Sequence, residues 1–176
     1  MERERLKAID RKKKKVVARQ VSSRMSLNCG TENPGSLKCI FYVLEGNEMA
    51  TVLRPKELHQ GYVGVMHGGY TASVLDEVMG RANRIVEENG IINPYVTAKI
   101  EISYLKPILI GRTYYVYGRI EKEEGRKHFT SAEIIDNDGN VYAMAEAIFV
   151  RIVTTDVDIA GKEGFVPLSD SDPKEL

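Results

Sequence analysis

The sequence lacks the features that mark several large classes of protein. Its two cysteines, Cys29 and Cys39, are too few for a disulfide framework and do not have the spacing of a four-ligand zinc site. No uncharged apolar run approaches the roughly 18–20 residues that a membrane helix needs. The first residues carry alternating charges with no apolar stretch behind them, so we expect no secretory signal peptide. These absences favour a protein of the reducing cytoplasm, with free thiols.

The signatures of several enzyme classes are also missing. Gly64 to Gly69 includes several glycines, but without the G-x-G-x-x-G spacing or a P-loop lysine, so nucleotide hydrolysis is not expected. No serine lies in a G-x-S-x-G elbow, which argues against a hydrolase triad. The three histidines, His59, His67 and His128, have no H-x-x-x-H spacing. We therefore expect no metal site.

The composition is that of one globular domain, with 43% hydrophobic and 28% charged residues in a chain of 176. The net charge is zero, but residues 1–20 contain nine Lys or Arg and only three Asp or Glu, a charge of +6. Their basic run at 11–15 could contact nucleic acid, acidic lipid or ligand phosphates, or could be a solvated, frayed terminus. Because the run has no helix-turn-helix spacing and no interleaved aromatics, we expect neither nucleic acid nor a membrane as partner.

The apolar pattern predicts one long helix among β-strands. The helix is predicted over 69–88, with Gly90 placed to end it. One face of this helix is apolar, through Leu75, Val78, Met79, Ala82, Ile85 and Val86. Strands are predicted at 38–44, 48–53, 95–105, 113–122, 126–135 and 140–153. This order predicts an α+β fold in which one helix lies on an antiparallel sheet, and it argues against a Rossmann domain.

The remaining segments set the domain boundaries. Residues 1–24 read as a polar lead-in that could be helical, and residues 28–36 form a loop rich in Asn, Gly, Pro and Ser. We therefore predict a basic N-terminal arm over 1–27, one domain over 28–153 and an irregular C-terminal tail over 154–176.

The segment before the helix is the first candidate site. His67, Gly68 and Gly69 lead directly into it, and two consecutive glycines there leave the first N–H groups free to bind a ligand oxygen. Such donors could stabilise an oxygen that gains negative charge, or the glycines could simply be required by a tight turn. His67 is expected to brace this turn by hydrogen bonds rather than to act as a base.

Two adjacent carboxylates lie in the middle of the helix. Glu77 lies opposite the apolar face and can pair with Arg81 four residues on, as a solvated salt bridge. Asp76 borders the apolar face among small residues that leave room for a ligand, a backbone or another subunit. These small residues are Gly69, Ala72, Ser73, Gly80 and Asn83. Asp76 is therefore either solvated beside the space left by these small residues, or placed in a cleft for acid–base or nucleophilic chemistry. We favour the cleft.

These residues resemble a known family, the hotdog-fold acyl-CoA thioesterases of the PaaI-like branch of the 4-hydroxybenzoyl-CoA thioesterase superfamily. The resemblance rests on His67-Gly68-Gly69-(x)6-Asp76 and on the next strand, residues 96–107 (VTAKIEISYLKP). It covers about residues 30–152, and the Cys29-Gly30-(x)2-Asn33-Pro34 loop is similar to that of one clade. It implies a hotdog domain, in which a six-stranded antiparallel sheet wraps the helix and two subunits join, in some members pairing further to tetramers.

The resemblance also assigns roles at a site on the dimer interface. It implies that Asp76 is the nucleophile or the base for water, that the Gly68 N–H polarises the thioester carbonyl, and that Thr97 positions water or the acid. The candidate catalytic residues are thus Asp76, Gly68 and His67, and the candidate substrate-binding residues are Gly69, Thr97 and Gln60. The substrate would be an acyl-CoA, with coenzyme A as part of it and no separate cofactor.

One position departs from the family. Many members have Asn or Gln six residues before the histidine, where this sequence has Gly61, with Gln60 just before it. The alternative to a thioesterase is therefore a non-catalytic hotdog dimer that binds acyl-CoA as a sensor or regulator. A hotdog hydratase or dehydratase is less well supported, because neither the D-x4-H pattern nor a suitably placed catalytic histidine is present.

Overall fold

One helix lies against a single antiparallel sheet in the computed structural model, which describes residues 13–83, 95–152, 165–166 and 168–176. The helix is α1 (Gly68–Ala82), and a short 3-10 helix (Glu57–His59) precedes it. The strands of the described residues are β1 (Val16–Gln20), β2 (Phe41–Leu44), β3 (Glu48–Leu53), β4 (Tyr95–Tyr104), β5 (Tyr114–Glu124), β6 (Lys127–Ile135), β7 (Val141–Arg151) and β8 (Phe165–Val166). The α+β class predicted from the sequence is confirmed.

The strand order of the sheet is β4-β7-β6-β5-β3-β2-β1-β8, with antiparallel neighbours throughout. Its first six members are the six strands predicted from the sequence, and β1 and β8 extend the sheet at one end. The sheet curves around α1, which packs against β3, β4, β5, β6 and β7. The helix wrapped by a six-stranded sheet, as the resemblance implied, is therefore present.

The predicted apolar face of the helix is confirmed where the structure describes it. Leu75, Val78, Met79 and Ala82 are all buried in the main core. Ile85, Val86 and the predicted helix end near residues 88–90 lie outside the described residues. No helix in the described part of the chain has the length and apolarity to cross a bilayer.

Two glycines allow the helix and the sheet to approach each other closely. A Cβ atom at Gly118 of β5 would lie 3.0 Å from Cγ1 of Val78 and 3.2 Å from its carbonyl oxygen. A Cβ atom at Gly80 would lie 3.3 Å from the ring of Phe149. Since this packing leaves no space for side chains at either position, the glycines fix how deeply α1 sits in the sheet.

The lead-in predicted for residues 1–24 is wrong for residues 16–20, which form β1. The strand is hidden in the sequence because it follows a run of lysines and contains Arg19 and Gln20. Both polar side chains have partners: Arg19 binds Asp172 at 3.2 Å, and the amide of Gln20 donates to the Arg81 carbonyl oxygen at 3.2 Å. The tail predicted to be irregular contributes β8, which pairs with β1, and the backbone of Leu176 pairs with that of Lys14.

Arg81 holds the helix to the N-terminal part of the chain. The predicted pair with Glu77 is present at 2.7 Å, but it is not solvated, because only 3% of the Arg81 side chain is exposed. The guanidinium also donates to Gln20, to the Val21 carbonyl oxygen and to Cys29 Sγ at 3.1–3.2 Å, and it stacks on a phenylalanine ring. A buried guanidinium with these partners is a structural anchor.

We predict that Arg81→Met destabilises the fold by about 3 kcal/mol, because it leaves several buried polar partners unpaired. Chemical denaturation monitored by circular dichroism measures the change. The matched control is Arg24→Met, since the Arg24–Glu32 pair is 73% and 58% exposed and is expected to contribute less than about 1 kcal/mol. Equal losses in both variants would contradict the anchoring role of Arg81.

Candidate active site

The start of the helix is capped by His67. The Nδ1 atom of its ring accepts the N–H of Gly69 at 2.8 Å, and the backbone N–H of His67 donates to the His59 carbonyl oxygen at 2.8 Å. The ring therefore braces the turn, which was the role favoured from the sequence. The same bond occupies the N–H of Gly69, so this predicted substrate-binding residue has no free backbone donor.

The N–H of Gly68 is the open donor at this helix end. Within the described part of the chain it has no hydrogen-bond acceptor, whereas the Gly68 carbonyl oxygen accepts the Tyr104 hydroxyl at 3.1 Å. The Tyr104 ring also covers Gly68, because a Cβ atom there would lie 3.6 Å from its Cε1. Gly68 is thus held in place while its N–H stays available at the positive end of the helix dipole.

A cleft of about 390 Å³ opens beside Gly68. Its lining is mostly apolar or aromatic, from Tyr62, Val65, Met66, Tyr104, Leu105, Pro107, Ile108 and Ala143. Thr71 and Lys106 add polar groups. Reasoning from the sequence did not single out Tyr104 or Thr71, because a tyrosine in a strand and a threonine in a helix carry no motif of their own.

Asp76 and Thr97 are brought together as the resemblance implied. The Thr97 hydroxyl donates to Oδ1 of Asp76 at 2.8 Å. Burial raises the pKa of Asp76 above its usual value, the Thr97 hydrogen bond lowers it, and the negative charge of Glu77 raises it. The net shift is upward, towards the range in which a carboxylate can exchange protons with a substrate.

The two parts of the candidate site lie apart within one protomer. Asp76 follows Gly68 by eight residues on α1, which places the two about 12 Å apart along the helix axis. Asp76 faces β4, an edge strand whose only neighbour among the described strands is β7. Residues 96–99 of that strand are exposed, so the surroundings of Asp76 and Thr97 open at the edge of the sheet.

Gln60 and Gly61 do not supply the amide that many relatives have before the histidine. The Gln60 side chain accepts the N–H of Gly64 at 3.2 Å, which holds it within its own loop. A Cβ atom at Gly61 would lie only 3.0 Å from the ring of His67, so the ring fills the space that a side chain would need. Neither residue lines the cleft beside Gly68.

The other histidines and the two cysteines make contacts within the fold rather than at the candidate site. His59 is buried and its Nδ1 atom accepts the Lys56 N–H at 2.9 Å, while His128 bonds to Asn83 at 2.8 Å. In the ranges that the structure describes, no three His, Cys, Asp or Glu side chains converge in a way that could hold a metal ion. Cys29 and Cys39 are free and buried.

The chain is similar in sequence to known thioesterases. The sequence model of the thioesterase superfamily matches residues 63–143, which include every candidate site residue except Gln60. The acyl-coenzyme A thioesterase THEM4 of Xenopus laevis is 29% identical over 126 residues, covering 71% of this chain and 54% of that protein. The chain thus spans about half the length of this relative.

The fold is also similar to that of solved structures. The thioesterase superfamily protein RHA08564 superposes with a TM-score of 0.64 and 28% identity, covering 72% of this chain and 60% of that one. The Escherichia coli PaaI protein, from the phenylacetic acid degradation operon, superposes with a TM-score of 0.59 over 66% of this chain and 81% of its own, at 16% identity. The second likeness concerns the fold alone.

A helix wrapped by the sheet, a His-Gly-Gly start and an Asp76–Thr97 pair are thus found in a chain that is similar in sequence and fold to proteins of the thioesterase superfamily. In these features the chain resembles the hotdog-fold acyl-CoA thioesterases.

We predict that Thr97→Val raises the pKa of Asp76 further, because the variant removes the hydrogen bond that favours the charged carboxylate. Carboxyl ¹³C NMR over a pH series measures the shift. Thr97→Ser keeps a hydroxyl at the same position and should leave the titration close to that of the wild type. If Thr97→Val and the wild type titrate alike, the hydrogen bond does not tune Asp76.

Proposed function

We propose that the protein is an acyl-CoA thioesterase, which hydrolyses a CoA thioester to a free acid and coenzyme A. The observation that carries the proposal is the half-buried Asp76 carboxylate held by the Thr97 hydroxyl at 2.8 Å. A partly buried carboxylate whose pKa is raised by burial, on a helix flank beside an exposed sheet edge, is typical of a functional site. The open N–H of Gly68 supplies the complementary donor.

The chemistry follows from these two groups. The Gly68 N–H and the helix dipole polarise the thioester carbonyl, while Asp76 attacks the carbonyl carbon or removes a proton from an attacking water. The C–S bond then breaks and the thiolate of coenzyme A takes up a proton. If Asp76 is the nucleophile, water then hydrolyses the mixed anhydride, which releases the acid and regenerates the carboxylate. His67 acts by holding the Gly68 turn, and Thr97 orients Asp76. The reaction needs no metal and no cofactor beyond the coenzyme A of the substrate.

The separation within α1 requires two protomers for one site. A carbonyl oxygen within about 3 Å of the Gly68 N–H cannot also present its carbon to an Asp76 about 12 Å further along the same helix. We therefore propose that Gly68 of one protomer works with the Asp76 of another in a homodimer, which can pair further to a tetramer. The exposed β4 edge and the exposed side chains of Tyr62 and Val63, 85% and 96% accessible, support such an interface.

A second candidate function is acyl-CoA binding without turnover, as a sensor or regulator. The position of Gln60 favours it, because this amide is bonded to the Gly64 N–H and does not reach the cleft. Without an amide to orient water, substrate could bind and remain intact.

We expect the wild type to release thiol from at least one member of a panel of short, medium, long and aromatic acyl-CoAs. Asp76→Asn should lose at least about 100-fold in kcat, because it keeps the shape of the side chain and removes the base. Glu32→Gln, at an exposed carboxylate away from the helix, is the control and should retain activity. Full activity in Asp76→Asn would disprove the assignment, and tight binding without thiol release in the wild type would favour the sensor.

We further predict that mixing two inactive variants restores activity. Gly68→Pro removes the donor and Asp76→Asn removes the base, but a heterodimer of the two has one site in which both groups are intact. Refolding the variants together in equal amounts should recover about a quarter of wild-type activity, because half of the dimers are mixed and each has one working site. No recovery, with mixed dimers demonstrated by two different affinity tags, would show that each protomer carries its own complete site.

A further inference from the structure

The cleft beside Gly68 contains a polar side chain that the proposed mechanism leaves unused. Thr71 lines this cleft, although only 3% of the residue is exposed. In the part of the chain that the structure describes, its hydroxyl makes no hydrogen bond, and it is not among the side-chain polar atoms sealed from solvent without a partner. The hydroxyl is therefore unpaired and not sealed from solvent, in a residue that lines the cleft.

A helical threonine usually has a local partner for its hydroxyl, the carbonyl oxygen four residues earlier. For Thr71 that oxygen belongs to His67, and it already accepts the N–H groups of Tyr70 at 3.0 Å and Thr71 at 3.2 Å. Both lone pairs are thus in use. An almost buried hydroxyl without a partner destabilises the folded protein, whereas a valine of the same shape would not. A hydroxyl at this position is explained by a bound ligand that supplies its missing hydrogen-bond partner.

The helix geometry places this hydroxyl next to the Gly68 N–H. Residues three apart lie on the same face of a helix, and side chains lean towards its N-terminus. Thr71 therefore covers the turn that begins at Gly68, and both residues line the same cleft. Two donor-bearing residues of the same helix face therefore border one cleft.

We propose that the Thr71 hydroxyl is a second donor to the substrate carbonyl oxygen, beside the Gly68 N–H; this rests on the proposed thioesterase function. When the attacking oxygen bonds to the carbonyl carbon, the electron pair of the C=O π bond moves to the carbonyl oxygen, which both donors then stabilise. The C=O bond re-forms as the C–S bond breaks, and the departing sulfur takes up a proton. Thr71 and Gly68 come from the same protomer, so the proposal does not depend on how subunits are arranged.

Steady-state kinetics of two variants test this role. Thr71→Val removes the hydroxyl and keeps the shape, and it should lower kcat by about 10- to 100-fold with little change in KM. Thr71→Ser keeps the hydroxyl and should stay within a few-fold of the wild type. Unchanged kcat in Thr71→Val, on a substrate that the wild type hydrolyses, would overturn the inference and leave the thioesterase function intact.

A binding measurement gives a readout that does not require turnover. Calorimetry would compare an S-(2-oxoalkyl)-CoA, which has a ketone oxygen near the position of the thioester oxygen, with an S-alkyl-CoA of equal length, which has none. Thr71→Val should weaken the binding of the ketone analogue by about tenfold and leave the binding of the alkyl analogue unchanged. Ser73→Ala, which removes a hydroxyl that is bonded to Asn28 outside the cleft, should change neither. If Thr71→Val weakens the binding of both analogues equally, the role of Thr71 is structural and the inference is overturned. If the wild type binds neither analogue, the proposed function is overturned as well.

Discussion

The hydrogen bond from the Gly69 N–H to Nδ1 of His67 is the interaction on which the candidate site depends. By capping the helix with a side chain attached just before it, the bond satisfies one of the free N–H groups and fixes the direction in which α1 begins. The next free donor, that of Gly68, is left open in a defined position. The Tyr104 hydroxyl on the Gly68 carbonyl oxygen holds the same turn from the sheet side. A donor of this kind is preorganised, which is what charge stabilisation in a transition state requires.

The two flanks of α1 differ in how completely they are paired. On one flank, Arg81 is almost fully buried among partners from the N-terminal part of the chain, and Ser73 and Asn28 exchange hydrogen bonds at 3.0 and 3.1 Å. On the other flank, Asp76 has Thr97 and otherwise opens towards the sheet edge. The contacts of Arg81 hold α1 in position on one flank, and they thereby also hold Asp76 in position on the other flank. The stability of the fold and the geometry of the candidate site therefore depend on the same helix.

The sequence predicts those parts of the fold and of the site in which the local residue pattern agrees with the tertiary structure. The apolar face of α1, the six central strands and the pairing of Asp76 with Thr97 follow from periodicity, turn residues and family resemblance. The strand β1 could not be predicted, because its polar side chains are stabilised by Asp172 and Arg81, which are distant in sequence. The burial of Arg81 was missed for the same reason. The position of Gln60 depends on the conformation of its own loop, which no periodicity encodes.

Among the described residues, two open hydrogen-bond donors and a carboxylate with a raised pKa lie at one end and along one flank of α1. The Gly68 N–H and the Thr71 hydroxyl have no acceptor in the described residues, and burial raises the pKa of Asp76. Each of these features costs stability in an isolated protomer, and together with the exposed β4 edge they lie where a second protomer and a substrate would be bound. Since even the buried Arg81 guanidinium has partners for its donors, packing alone does not explain why the groups at this site stay open. Their placement is therefore better explained by what they bind than by the packing of the chain, and that explains why the site must be tested with ligand and partner subunit present.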